Sequence, residues 1–203
     1  MKIICIGQNY IKHIRELNHE IPQEPVFFMK PDSSLLLSNK VFYLPGFSNE
    51  IHHEVELVIK INRLGKSIEP RFAYRYYEEI GLGIDFTARD LQRQLAAKGL
   101  PWEKAKAFDS AAALGKFIRK DELSDLANIN FSLQKNQEIV QKGNSGDMLF
   151  SFDMIISYVS QFVTLKMGDL IYTGTPSGVG AVHINDRLEG FIGDKKMFDF
   201  MVK

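Results

Sequence analysis

A chain of 203 residues, 45% of them hydrophobic, holds enough apolar material for one continuous core, so a single domain over residues 1–203 is the expectation. Its 25 Lys and Arg balance 25 Asp and Glu, which leaves no global field to recruit nucleic acid or an anionic membrane and points to a small ligand held locally. One cysteine, Cys5, excludes an internal disulfide, and MKIICIGQNY lacks the long apolar run of a signal peptide or membrane anchor, so a soluble cytoplasmic protein is expected.

The apolar run Ile3–Ile6 predicts a first strand, in which Cys5 reads as a small buried side chain without a chemical role. Ile11, Ile14, Leu17 and Ile21 recur at helical spacing and predict a helix from Tyr10 to Glu20, with Asn9 as its cap and Pro22 closing it. Strand-like runs follow at Val26–Met29, Leu35–Leu37 and Val41–Leu44, then a longer alternating one from Ile51 to Ile61, and Pro70 opens an aromatic-rich helix. Gly81–Asp85 reads as a buried strand, and Thr87-Ala88-Arg89-Asp90 resembles a capping box that starts a helix to Lys98, ended by Gly99 and Pro101. The polar stretch 119–147 is expected to hold a hairpin around Ile129–Gln134. A helix over Phe152–Val163, capped by Ser151, presents Ile155, Ile156, Val159 and Phe162, and strands at Leu170–Thr173 and Met197–Val202 close the chain. Strands outnumber helices without alternating regularly with them, which predicts an α+β fold.

The strand Ile51–Ile61 sends Val55, Leu57, Ile59 and Ile61 to one face and Glu54 and Glu56 to the other. The two glutamate Cα atoms are then roughly 6.5–7 Å apart, close enough for both carboxylates to meet one ion. On the strand alone, the ordinary reading of that face is a solvated one. Asp85, at the end of an apolar strand, supplies a third carboxylate and favours a site for a hard ion such as Mg²⁺ or Mn²⁺. His52 and His53 read as surface or supporting residues. Arg89 falls in the first turn of its helix, where the dipole disfavours a cation, and shares a face with Gln92, so both are candidates to meet a ligand carboxylate. His13 and Glu16 are three apart and can hydrogen-bond, the arrangement that makes an imidazole a base for activating water. The loop from Thr173 to Gly180 lacks the Gly-Lys-[Ser/Thr] of a phosphate loop, but its glycines can bring backbone N–H groups and the Thr175 hydroxyl near a ligand.

Taken together, GQNY at 7–10, HHEVEL at 52–57, GIDFTARDLQ at 83–92, LPWEKAKAFD at 100–109 and GDLIYTGTPSGVG at 168–180 resemble the fumarylacetoacetate hydrolase family, in its short acylpyruvase and oxaloacetate decarboxylase type. The resemblance implies a mixed β-roll or partly open barrel with flanking helices, a homodimer, and one Mg²⁺ or Mn²⁺ per chain on Glu54, Glu56 and Asp85. It also implies a mobile lid helix over 10–21 carrying His13 and Glu16 as a water-activating dyad, with Lys30, Arg89, Gln92, Lys106 and Thr175 around the substrate. Two departures stand out: Gln8 where an arginine is frequent, and Asn185-Asp186 in place of a glycine-aspartate turn.

The activity expected is hydrolysis of a C–C bond in an acylpyruvate, a 2,4-dioxo acid, with the ion as electron sink, His13 and Glu16 activating water, and Lys106 and Gln92 facing the oxyanion. Oxaloacetate decarboxylation, or isomerisation and tautomerisation of a related 2-oxo acid, is the alternative use of the same site. A module that binds a metal or 2-oxo acid without turnover is the alternative of another class.

Overall fold

The computed structural model describes residues 1–16, 20–37 and 40–203. It begins with strand β1 (Ile3–Gly7), helix α1 (Ile11–Glu16) and strands β2 (Val26–Lys30), β3 (Leu35–Leu37), β4 (Ile51–His53) and β5 (Val55–Ile61). Helix α2 (Pro70–Ala73) leads to β6 (Tyr77–Asp85), the two-residue β7 (Thr87–Ala88), α3 (Arg89–Ala97) and α4 (Glu103–Lys106). Strand β8 (Ala112–Arg119), the hairpin of β9 (Asn130–Lys135) and β10 (Glu138–Asn144), and helix α5 (Phe152–Phe162) follow. Strands β11 (Leu170–Tyr172), β12 (Gly180–Ala181), β13 (Arg187–Ile192) and β14 (Lys195–Met201) complete the chain.

Seven strands form a mixed sheet in the order β2-β1-β11-β5-β6-β8-β3, in which β1 runs parallel to β11 and β3 to β8. An antiparallel sheet, β10-β9-β13-β14, packs against its central strands, and β12-β4-β7 forms a small third sheet. The result is a strand-dominated α+β half-barrel with few helices. No described helix is long and apolar enough to cross a membrane.

Both faces of the seven-stranded sheet are covered. Leu57, Ile59 and Ile61 of β5 join the main core, whereas Val58 faces a smaller cluster with Ile3, Cys5, Ala112, Leu170 and Tyr172. The face carrying Glu54 and Glu56 is therefore not solvated: it borders this second apolar cluster, and burial of its large side chains contributes about 1.5–3 kcal/mol each.

Several local expectations are corrected. The run Ile51–Ile61 is two strands broken at Glu54, because β4 turns away to pair with β7 and β12. Val41–Leu44 is no strand; only Phe42 bridges to Val202, and its ring stacks on Phe86 with centroids 3.8 Å apart. Asn9 does not cap α1, because its side chain bonds Phe150 and the Thr173 carbonyl across the sheet. The described part of α1 ends at Glu16; residues 17–19 of the expected lid helix, Leu17 among them, lie outside the described residues.

Thr87 forms no capping box, since its hydroxyl is taken by the Asp85 carbonyl and Lys106 and α3 starts from Ala88 without a side-chain cap. Phe162 is 56% exposed, packing at the surface against Phe27 and Tyr158 instead of in the core. Asn185 takes φ 75°, a left-handed conformation asparagine tolerates, so the turn keeps its shape without a glycine. Strand β13, with Arg187, Glu189 and Gly190 interrupting its apolar residues, was not anticipated from the pattern.

Candidate metal centre and active site

The site follows from strand register. In the antiparallel pair β5–β6, Val55 faces Ile84 and Glu56 faces Gly83, and the Asp85 N–H donates to the Glu54 carbonyl at 2.9 Å. Glu54 and Asp85 are thus opposite one another, and facing residues project on the same side of a sheet. On the other flank of β5, Tyr172 of β11 pairs with Val58, which brings Gly174 beside Glu56, and the Gly174 N–H donates to the Glu56 carboxylate at 2.7 Å. Glu56 is therefore flanked by glycines on both sides. A Cβ on Gly83 would lie 2.5 Å from the Ala113 carbonyl oxygen and 2.6 Å from the Tyr172 ring. One on Gly174, whose φ is +99°, would lie 2.7 Å from the Asn9 Cβ.

Oxygens of Glu54, Glu56 and Asp85 lie within 4.8 Å of one another, and the three residues are 5%, 2% and 1% exposed. Among the described residues, no other such group of His, Cys, Asp or Glu converges. Three buried cations face them. The Lys106 ammonium contacts Glu54 at 2.7 Å and Asp85 at 2.9 Å, Lys30 pairs with Asp85 at 2.7 Å, and Arg89 bonds Glu54.

Burial alone would raise the Glu54 pKa, but Lys106, Arg89 and His13 hold it well below the usual carboxylate value. Glu56 goes the other way: burial, then the charges of Asp85 and Glu54, push it well above. Burial would lower the Lys106 pKa, yet the charges of Asp85 and Glu54 raise it and favour the ammonium. Asp85 Oδ1 is buried with the Lys30 ammonium 2.7 Å away as its ion-pair partner. Three buried carboxylates that converge closely enough for Asp85 and Glu54 to raise the Glu56 pKa form an all-oxygen donor set that fits a hard divalent cation, whose ligands stand ~2.1 Å away for Mg²⁺.

A narrow cavity of about 40 Å³ opens beside these carboxylates, little more than one water's share of the liquid, ~30 Å³. His13, Arg89, Gln92, Lys106 and Thr175 line it, together with Gln8, which stands where an arginine is frequent, and with Phe28 and Trp102, which the sequence did not single out. His13 is 5% exposed and its Nδ1 meets Glu16 Oε2 at 3.1 Å. Glu16 also accepts the Gly178 N–H at 3.2 Å, tying α1 to the glycine-rich loop.

Arg89 resolves its clash with the helix dipole through Glu54 and Gln92, so no ligand anion is needed for that. Thr175 lines the cavity, but its hydroxyl donates to the Val55 carbonyl at 2.9 Å. Lys30 is not among the lining residues: it sits behind Asp85 and donates to the carbonyls of Lys106 and Ala111. His52 and His53 do not join the carboxylates; they bond Glu50 and Gln141.

Gln141 was missed. It is 1% exposed and makes four hydrogen bonds, accepting from His53 and the Val55 N–H and donating to Thr175 and the Pro176 carbonyl. Nothing in the polar run around it signals this, because every partner is at least 34 positions away.

The family description for the C-terminal region of fumarylacetoacetate (FAA) hydrolase matches residues 2–199. The chain belongs to the fumarylacetoacetate hydrolase family. It is 44% identical over 182 residues to a mitochondrial oxaloacetate decarboxylase of Dictyostelium discoideum, covering 89% of this chain and 84% of that protein. It is 39% identical over 201 residues to a mitochondrial oxaloacetate tautomerase of Rattus norvegicus, covering 99% and 91%. It is also similar to the crystal structure of fumarylpyruvate hydrolase from Pseudomonas aeruginosa in complex with Mn²⁺ and pyruvate, with a TM-score of 0.92 at 33% identity, covering 100% of this chain and 89% of that one. The fumarylacetoacetate hydrolase fold thus accounts for the whole described architecture, from β1 to β14.

Proposed function

We propose that this chain is a divalent-metal-dependent enzyme that interconverts the keto and enol forms of oxaloacetate, using one Mg²⁺ or Mn²⁺ on Glu54, Glu56 and Asp85. The observation that carries the reading is the convergence of three buried carboxylates beside a small cavity into which the cations Lys106 and Arg89 also face, with Lys30 behind Asp85. With all three carboxylates ionised, as holding an ion requires, they cancel the three cations, and a divalent ion adds two positive charges, the complement of a dianionic 2-oxo diacid. The oxaloacetate tautomerase and decarboxylase among similar proteins support the same substrate.

When bound, the ion would polarise the 2-oxo group and stabilise negative charge on its oxygen. The Lys106 ammonium, which donates to Glu54, Asp85 and Thr87, lines the cavity and would turn one N–H to the oxygen that gains charge. Arg89 and Gln92, joined on one face of α3, orient the distal carboxylate. With Glu16 on Nδ1, a neutral His13 keeps the lone pair on Nε2 and can take the proton from the carbon beside the keto group and return it to oxygen. No water is consumed. The working unit is taken to be a homodimer of the single domain 1–203.

A second reading, hydrolysis of an acylpyruvate, is favoured by the same His13–Glu16 pair, which is what water activation requires, and by the pyruvate in the similar fumarylpyruvate hydrolase structure. The test is to strip the protein with chelator, reload it with Mn²⁺, and follow loss of the enol's ultraviolet absorbance alongside pyruvate release from oxaloacetate and from acylpyruvates. Ketonisation should be metal-dependent and fall by roughly 10³-fold in Glu54→Gln, the order lost with one key charge-stabilising group. Metal-independent ketonisation, or turnover of acylpyruvates alone, would overturn it.

A further inference from the structure

Two aromatic rings separate the metal pocket from a second, larger cavity. Phe28 of β2 and Trp102, in the turn between α3 and α4, line both. The rings meet edge to face with centroids 5.8 Å apart. Inside lie the carboxylates and Lys106, whose ammonium stands 5.2 Å from the Phe28 centroid. Outside lies a cavity of about 430 Å³, lined by Val26, Phe27, Met29, Leu100 and Pro101, with Glu103 its one charged residue.

The wall is firmly mounted. Trp102 Cζ3 is 4.0 Å from where a side chain on Gly7 would begin, so β1 passes close beside the indole. The Trp102 carbonyl accepts the N–H groups of Ala105 at 2.8 Å and Lys106 at 3.0 Å, so the turn that carries the indole also starts the helical turn carrying Lys106.

We propose that Trp102, backed by Phe28, sets substrate length: it closes the inner pocket on this side and keeps the apolar tails of longer 2-oxo acids out of the outer cavity. This rests on the reading that the pocket takes a 2-oxo acid. An apolar tail that reached the outer cavity would gain about 4-fold in affinity per buried methylene. A polar four-carbon diacid would gain nothing there. The wall therefore selects by blocking a favourable interaction for the longer competitor.

The experiment compares wild type, Trp102→Ala, Trp102→Phe and Phe28→Ala, each shown by thermal melting to be folded. Calorimetry on the Mn²⁺-loaded proteins gives the Kd of pyruvate and of 2-oxohexanoate, followed by kcat and KM on oxaloacetate and on acylpyruvates of increasing tail length. Three added methylenes allow a gain of up to about 60-fold. Trp102→Ala should improve 2-oxohexanoate relative to pyruvate by about 10-fold or more and should lower KM for long acylpyruvates. Phe28→Ala should shift both in the same direction, and Trp102→Phe should stay near wild type. An unchanged Kd ratio in both alanine variants, with pyruvate still bound, overturns the role of the wall alone. Failure of wild type to bind pyruvate or turn over oxaloacetate overturns the functional reading and this proposal with it.

Discussion

Replacing Gln141 by leucine loosens the glycine-rich loop from the start of β5, between Glu54 and Glu56. At Val55 the β5–β11 ladder has stopped, and side chains complete it: the Val55 N–H donates to Gln141 at 3.1 Å and the Val55 carbonyl accepts from Thr175 at 2.9 Å. Leucine nearly fills the same space but leaves the Val55 N–H, the Pro176 carbonyl and the His53 ring nitrogen buried without their partner. Toward the low end of about 1–3 kcal/mol for each orphaned group, the expected loss is ~4 kcal/mol, a large part of a stability on the order of 5–15 kcal/mol. Urea denaturation should show a lower midpoint with an unchanged slope. Because the Gly174 N–H that holds Glu56 adjoins Thr175, Mn²⁺ affinity should also fall by roughly 10–100-fold, the usual effect of losing a group that orients a ligand. Gln141→Glu should lose stability as well despite its shape, since its carboxylate turns an acceptor toward the Pro176 carbonyl. A Gln141→Leu protein within about 1 kcal/mol of wild type would refute this account, because it would place the cost of each orphaned group below its range.

Two further outcomes follow from single positions. Gly83→Ala forces a methyl against the Ala113 carbonyl, which cannot yield, so a loss of about 1–3 kcal/mol is expected, read as a drop of roughly 2–4 °C in Tm per kcal/mol; an unshifted Tm would show that the strands can part there. Asp169 is 1% exposed and accepts from the ammonium and N–H of Lys2 and the N–H of Lys166; burial would raise its pKa, but these partners lower it. Its folded pKa lies below the unfolded value of about 3.9, so its contribution is complete above that value and disappears as pH falls through the folded one. Asp169→Asn should cost about 1.5–3 kcal/mol at neutral pH and progressively less in acid, measured by denaturation at several pH values; a gap that does not narrow would contradict the linkage.

The sequence made the metal-bearing strand visible because period-two alternation survives any environment, but alternation does not say what covers each face. On the strand alone the Glu56 face reads as solvated, and the cluster around Tyr172 and Cys5 overturns that. Asp85 could be paired with the glutamates once two strands were suspected, whereas the register that sets it opposite Glu54 is a long-range fact. Local signals misled where a polar side chain had a distant employment: Thr87 looked like a helix cap and serves Lys106, and Asn9 looked like a cap and bonds Phe150 and the Thr173 carbonyl across the sheet. Lys30 and Lys106 were reached through family resemblance alone, since a lysine in a short apolar strand or a four-residue helix has no periodic signature. Gln141 had no signal of either kind.

Trp102 is also the only tryptophan in the chain. The protein therefore carries its one indole at the rim of the carboxylate pocket, and any change in indole emission originates there. In a stopped-flow mixing experiment, the time course of that emission can resolve whether the proposed ion or the proposed oxo acid arrives first, an order of events that end-point assays average away.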